Sequence, residues 1–394
     1  MTGGNERSLE RDRPSDPAAS SATIDLARER RDHATTVLSD TLEQRDATAF
    51  VHVGADRDPG IQYICPTPAG GVTAVAYDGV EREWLVHSAA DGAGGHPANR
   101  LAATLAERGL EGAVLAPPRV PHDAALYLEG EGFELASADA LERARTTKTD
   151  GERERISRAQ RAASAGIRRA ASVLADATVV DGRLATAANA DAGSEPECLT
   201  PARLRIAIDE AIVGAGAFPV GTTAVNPDSS AGTDAESLRP GEPIVLETAP
   251  RGPAGYYGGL VRTLVVDGDG GRERRAHVGV TQSFRSARSM LTAGPESVTA
   301  VEADLEAEVR SFGFGDGDAI ETRVSGVGLE ARERPIDGGD SLDAGTVARL
   351  DVAARVDDDN WLRIADVLAV NAEGKRPDWL AAPSQSLEPT ALLE

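Results

Sequence analysis

Between residues 49 and 141 short apolar runs alternate with amphipathic helical periods, and few folds accept that order. AFVHVGA (49–55), VTAVAYD (72–78) and EWLVHS (83–88) are apolar or alternating runs of strand length, and IQYIC (61–65) is taken as another strand. ANRLAATLAERGL (98–110) carries a helical period stopped by Gly109. GAVLAP (112–117) predicts a strand, HDAALYLEGEGF (122–133) a helix, and FELASADAL (133–141) a last strand and short helix. Strands and helices alternating at this spacing predict a small α/β layer domain.

Ahead of it, residues 1–22 are polar and Pro/Ser-rich and are expected to be a disordered tail. A helical period of Leu26, Val37, Leu38 and Leu42 follows. Beyond residue 142 the chain changes character. A long Arg/Ala helix starting near Asp150 has an apolar face of Ile156, Ala159, Ala163, Ile167, Ala170, Val173 and Leu174. Its arginines alternate with Glu152, Glu154 and Asp176, which marks a solvated outer face. Thr200-Pro201 is a cap and first-turn pair opening another helix. Strands are expected over 242–248, 259–268, 346–356 and 363–370, with helices over 277–294 and 297–313. The predicted units are 23–145, 146–380 and a flexible end over 381–394.

Charge narrows the function classes. The chain of 394 residues has 64 acidic against 41 basic side chains, a formal net charge of −23. Phosphate backbones and anionic bilayers select the opposite sign, so neither nucleic acid nor membrane is an expected partner. Only Lys148 and Lys375 are lysines, and an acid-rich, lysine-poor surface fits a high-salt interior. There is no long apolar span and no signal-like start, so the cytoplasm is the expected location. Cys65 and Cys198 stand too far apart in unrelated contexts to suggest a framework.

Four segments in order are similar to motifs of one family. LRPGEPIVLETAPRGPAGYYGGLVRTLVVDG (238–268) resembles L-x-x-G-D-x-V-x-x-D-x-G followed by G-Y-x-x-D-x-T-R-T. SGVGLEARERP (325–335) resembles H-G-x-G-L-E-x-H-E-x-P. LDAGTVARLDVAARV (342–356) resembles L-x-x-G-M-V-x-T-I-E-P-G-I-Y, and WLRIADVLAVNAEG (361–374) resembles G-x-R-I-E-D-x-V-L-V-T-x-x-G. Arg145, Lys148 and Glu152 add an R-x-x-K-x-x-x-E entry to the linker helix. From residue 23 to about 375 the chain thus resembles the creatinase, prolidase and Xaa-Pro aminopeptidase superfamily. The resemblance implies an α/β (α+β) chain with a pita-bread C-terminal domain behind a smaller creatinase-type N-terminal domain. It also implies two divalent metals such as manganese or cobalt, and a dimer.

Such a metal pair makes water nucleophilic near neutral pH and clamps the tetrahedral intermediate. The family holds it with two aspartates, a histidine and two glutamates. The matching positions here are Glu247, Gly259, Ser325, Asp351 and Ala365. An insertion of one residue leaves Gly258 as the alternative to Gly259. Only Glu247 and Asp351 keep carboxylates, so no bound metal or cofactor is expected beyond one weak cation between those two. The family's second histidine falls on Arg332, and none of His33, His52, His87, His96, His122 and His277 lies in a motif segment. The metal-free route that creatinase takes with a histidine is closed on the same ground. Arg262 and Arg332 are expected to pair with the two carboxylates, and Glu333, Arg363 and Asp366 are further charge-replacing or ligand-contacting candidates. The 255–259 glycines predict a hairpin bulge and the 357–359 aspartates an acidic turn.

The residues leave three readings open. One is a degenerate homologue that binds a peptide-like ligand or a protein partner. Another is a hydrolase with a remodelled site. The third is a structural subunit paired with an active paralogue; as partners, a homodimer or a hetero-oligomer with such a paralogue is expected.

Overall fold

The computed structural model describes residues 17–65, 70–92, 94–186, 196–227, 237–315 and 318–394, with side chains from residue 25 onward. Helix α1 (Pro17–Arg45) begins inside the segment expected as a tail, and residues 1–16 lie outside the described residues. Leu26, Leu38 and Leu42 of α1 are buried, as its apolar period requires.

Strand β1 (Ala47–Ala55) is followed by α2 (Pro59–Ile64), where the sequence suggests a strand. Local chemistry decides it. The Asp58 side chain accepts from the Ile61 amide at 2.9 Å, and Pro59 supplies the first helical turn. Ile61, Tyr63 and Ile64 are all buried, and a short apolar run with every side buried has no period to read. Strands β2 (Val72–Asp78) and β3 (Glu83–Ser88) follow, then α3 (Pro97–Glu107), β4 (Ala113–Ala116), α4 (His122–Gly130), β5 (Glu134–Ser137) and α5 (Ala140–Thr146). The sheet order is β3-β2-β1-β4-β5, antiparallel on one side of β1 and parallel on the other.

The linker helix α6 (Asp150–Ala175) starts with a reciprocal cap between Thr149 and Glu152. A short hairpin, β6 (Thr178–Val180) with β7 (Arg183–Ala185), precedes α7 (Pro201–Gly214). Next come β8 (Ala224–Val225), β9 (Ile244–Thr248), β10 (Leu260–Leu264), α8 (Arg272–Ala293), β11 (Glu296–Ser297) and α9 (Val298–Ser311). Then follow β12 (Ile320–Gly326), β13 (Ser341–Leu342), β14 (Val347–Arg355), β15 (Trp361–Ala369) and β16 (Asp378–Trp379). The large sheet runs β12-β14-β15-β10-β9-β8, antiparallel throughout, with β16 on β15.

Pleating sorts this sheet into two faces. Ala348, Leu350 and Val352 of β14 and Leu362, Ile364 and Leu368 of β15 pack under α8 and α9. Ile244, Leu246, Leu260 and Leu264 of β9 and β10 pack under α6 and α7. The intervening positions point the other way, into a cleft. There Val327, Val347 and Val367 share one core with Leu26, Leu38, Tyr63 and Ile64 of the small domain. The small domain therefore docks on the cleft side of the large sheet.

Two expectations need correction. The segment 381–394, expected to be flexible, is held against the sheet: Arg262 donates to the carbonyls of Pro383 and Ser384, and Leu392 is buried. The 255–259 glycines are not a bulge; Gly255 sits at φ +91 in the turn that links β9 to β10. The 357–359 aspartates do form a turn, in which Asp357 accepts from the amides of Asp359 and Asn360.

Candidate functional site

Register brings four strands into one row across the cleft face. Asp351 on β14 faces Ala365 on β15, Ala365 faces Val261 on β10, and Val261 faces Glu247 on β9. Two residues along β14 from Asp351 stands Arg349, opposite Ser325 of β12. Two residues along β15 from Ala365 stands Arg363. Period 2 puts all of these on one face.

Both arginines reach both carboxylates. Arg349 Nη2 donates to Glu247 Oε1 at 2.8 Å and to Asp351 Oδ2 at 2.7 Å. Arg363 donates to Asp351 from Nε at 2.8 Å and from Nη2 at 2.7 Å, a two-pronged contact. Its Nη1 donates to Glu247 Oε2 at 2.9 Å. The result is a closed square of two guanidinium and two carboxylate groups. Side-chain exposure is 7% for Arg349, 9% for Asp351, 11% for Arg363 and 22% for Glu247, so only Glu247 has a wet edge. Burial pushes the Asp351 carboxyl up, but the charge of Arg349 and the hydrogen bonds from Arg363 outweigh it and hold it below its ordinary range.

The small residues at the remaining positions make the room. A Cβ on Gly259 would stand 3.4 Å from Arg349 Nη1, and Val245, Val261 and Ala365 form a small apolar patch on this face. The same geometry removes the ambiguity between the two glycines. A Cβ on Gly258 would lie 2.7 Å from the Gln160 amide nitrogen in α6, so Gly258 is a packing glycine and Gly259 faces the cleft. Gly258→Ala is expected to cost about 1–3 kcal/mol or more through overpacking against helix backbone, while Gly259→Ala should change stability by less than about 1 kcal/mol. Urea denaturation of the two variants checks this; equal losses would contradict it.

A two-metal centre does not fit these residues. Every oxygen of Glu247 and Asp351 already accepts from a guanidinium, and Gly259, Ala365 and Val261 offer no donor atom. Divalent ions here would have to displace two buried cations, and the hard ions among them need several more oxygens. Among the described residues no group of three or more His, Cys, Asp or Glu side chains could hold a metal ion. The histidines serve elsewhere: His52 bonds Asp58 at 2.6 Å, and His277 meets the Gln385 carbonyl at 2.6 Å.

Other expected residues are placed differently. Arg262 and Asp366 occupy the opposite, helix-covered face and pair with each other at 2.7 Å, so Arg262 meets neither cleft carboxylate. Arg332 is exposed and outside the square. The arginine that sequence reasoning passed over is Arg349. Its signal was present as a charge spaced two from Asp351 in the interior of β14, where the other residues from Val347 to Ala354 are apolar.

Glu333 belongs to a second buried cluster at the domain junction. Its carboxylate accepts from Arg145 Nη2 at 2.6 Å and from Lys148 Nζ at 2.8 Å. Arg145 also binds Glu330 at 2.7 Å. Burial pushes Glu333 up, and the charges of Lys148 and then Arg145 draw it below its ordinary range. Glu152 completes the linker motif by accepting from the Tyr256 hydroxyl at 2.9 Å.

No protein-family model matches the chain, and no curated protein matches it in sequence. Solved structures do match. The prolidase from Pyrococcus furiosus covers 88% of this chain and 100% of its own at TM-score 0.68 and 15% identity. The X-Pro aminopeptidase from Thermotoga maritima covers 86% and 97% at TM-score 0.70 and 14% identity. The N-terminal domain of the FACT complex subunit SPT16 from Cicer arietinum covers 92% and 98% at TM-score 0.67 and 12% identity. With both domains matched at such low identity, the chain has the pita-bread fold of the prolidases and Xaa-Pro aminopeptidases, preceded by their N-terminal domain.

Proposed function

We propose that this chain is a non-hydrolytic protein on a peptidase scaffold, whose cleft binds a peptide-like ligand or a protein partner. The observation that carries the reading is the square in which Arg349 and Arg363 engage Glu247 and Asp351, the two carboxylates at positions that the resemblance gives to metal ligands. Hydrolysis near neutral pH needs a base that can take a proton from water. Asp351 is held ionised, with both oxygens engaged by arginines, so it is a poor proton acceptor. Among the described residues no histidine is bonded to it to serve instead. The two guanidinium groups balance the two carboxylates without a coordinated water. The square thus keeps the cleft electrically balanced while giving up the means to activate water. The likeness to a domain named for a complex subunit is consistent with binding on this fold. We further propose a high-salt cytoplasmic setting, from the charge of −23.

The test is metal analysis of the pure protein in high salt, with an Xaa-Pro dipeptide assay in added manganese or cobalt. The expected result is no turnover and no stoichiometric metal. Turnover with about two tightly bound equivalents would overturn the reading. Co-purification with a second chain of the same fold would favour the structural-subunit form of it.

A further inference from the structure

In a chain of net charge −23, one cavity of about 410 Å³ collects arginines. It lies where α1, the turn after β1, α6 and the turn between β9 and β10 meet, so both domains line it. Arg30, Arg57, Arg155 and Arg251 face it; among the described lining residues Asp56 is the one carboxylate, with Glu29 beside Arg155 just outside the lining. None of the four residues of the cleft square lines it.

Asp56 offsets one of these four charges. Its oxygens accept from the amides of Gly70 and Gly71 at 3.2 and 3.3 Å. Two of the arginines are held by neutral acceptors. Arg251 donates to the Gly255 carbonyl at 3.2 Å and to Gln62 Oε1 at 2.9 Å. Arg30 donates from Nη1 to the Gln62 carbonyl at 2.9 Å, and lies 5.7 Å from the Tyr63 ring centre and 5.4 Å from that of Tyr256. It is 2% exposed, yet its Nε has no hydrogen-bond partner. The Tyr63 hydroxyl behind it is likewise buried and unpartnered. Gathering like charges and leaving a buried donor unmet is costly unless something completes the site. Guanidinium groups in a partly enclosed space match oxyanions, which accept from several planar donors at once. The turn between β9 and β10 brings Arg251 here, and α1 brings Arg30, so the charge is assembled by domain docking.

We propose that this junction cavity is a binding site for a small multivalent oxyanion, a phosphate or a polycarboxylate, received by Arg57, Arg155 and Arg251 with Arg30 at its back. This inference stands apart from the reading of the cleft. A bound anion would tie the small domain to the large one, because its donors come from both.

Calorimetric titration of the full chain with inorganic phosphate, and separately with citrate, at constant ionic strength in chloride tests it. One-site saturable binding is expected. Charge-assisted hydrogen bonds of this kind predict a Kd raised at least about tenfold in the Arg57→Gln/Arg251→Gln variant. Arg57→Gln alone, at an exposed position, should keep the fold and still weaken binding, while Arg323→Gln on β12 should not. Stronger binding of phosphate or of citrate tells which anion class the site prefers. No saturable binding of either probe, or equal affinity in the native chain and both cavity variants, would overturn the proposal.

Discussion

Asp351→Ala is expected to lose about 3–5 kcal/mol of stability, enough to threaten a domain of ordinary stability. The change removes the carboxylate that accepts from Nε and Nη2 of Arg363 at 2.8 and 2.7 Å. Glu247 is then left to face two buried guanidinium groups. The loss comes less from the missing attraction than from the uncompensated charge that stays behind. A second variant separates the two. Arg349→Met/Asp351→Leu removes one cation with one anion and leaves the Arg363–Glu247 pair at 2.9 Å. It should recover most of the loss, because apolar side chains of similar size can replace a buried ion pair at little cost. Guanidinium denaturation of the single and double variants measures the loss and its recovery. If Asp351→Ala costs under about 1 kcal/mol, the square is not the buried unit described.

The same carboxylate sets a pH signature. The native pKa of Asp351 lies below its unfolded value, so its stabilisation is fully present above the unfolded value, near pH 4. It is lost as the pH falls through the native value. The native chain should therefore lose stability more steeply in acid than Arg349→Met/Asp351→Leu does. Parallel acid profiles would argue that the pair does not titrate in this way.

Glu333→Gln carries the other large effect. Lys148 and Arg145 have side chains 1% and 9% exposed, and both end on this one carboxylate. The amide keeps the shape but removes the charge, leaving two cations at the junction where α5 meets α6. A loss of about 3–5 kcal/mol is expected. Glu330 is 46% exposed and holds only Arg145, so it cannot make up the deficit. Lys148→Met on the same background should restore part of the stability. Hydrogen exchange offers a second measure: amides of the α5–α6 junction should exchange faster in Glu333→Gln, with those of β2 unchanged. Uniform acceleration across both domains would place the effect outside the junction.

These two clusters mark how far the sequence could be read. The order of elements was legible, since period-2 runs such as 346–356 and the capped helix after Thr200 carry their own signals. Gly259, Ser325 and Ala365 were expected as positions without a metal-binding side chain: Gly259 from its spacing to Arg262-Thr263, Ser325 from the G-x-G-L-E segment after it, and Ala365 from its place after Arg363-Ile364. The helix at 59–64 was not, because its apolar residues are buried on every side. The docked end of the chain was not legible either. Its anchors, the bonds from Arg262 to the carbonyls of Pro383 and Ser384, span more than a hundred residues.

The choice of arginines shows the division most clearly. By itself the sequence determined an α/β order of elements, an excess of acidic over basic residues, and the small residues at 259, 325 and 365. It also determined which residues share a face within one strand, because the pleat alternates at every residue. Only the tertiary structure decided which faces meet. Register across β14, β15, β10 and β9 turned Arg262 and Asp366 toward the helices and brought Arg349 and Arg363 onto Glu247 and Asp351. Pairing between strands far apart in sequence is set by how their apolar faces pack, and a single strand does not encode it.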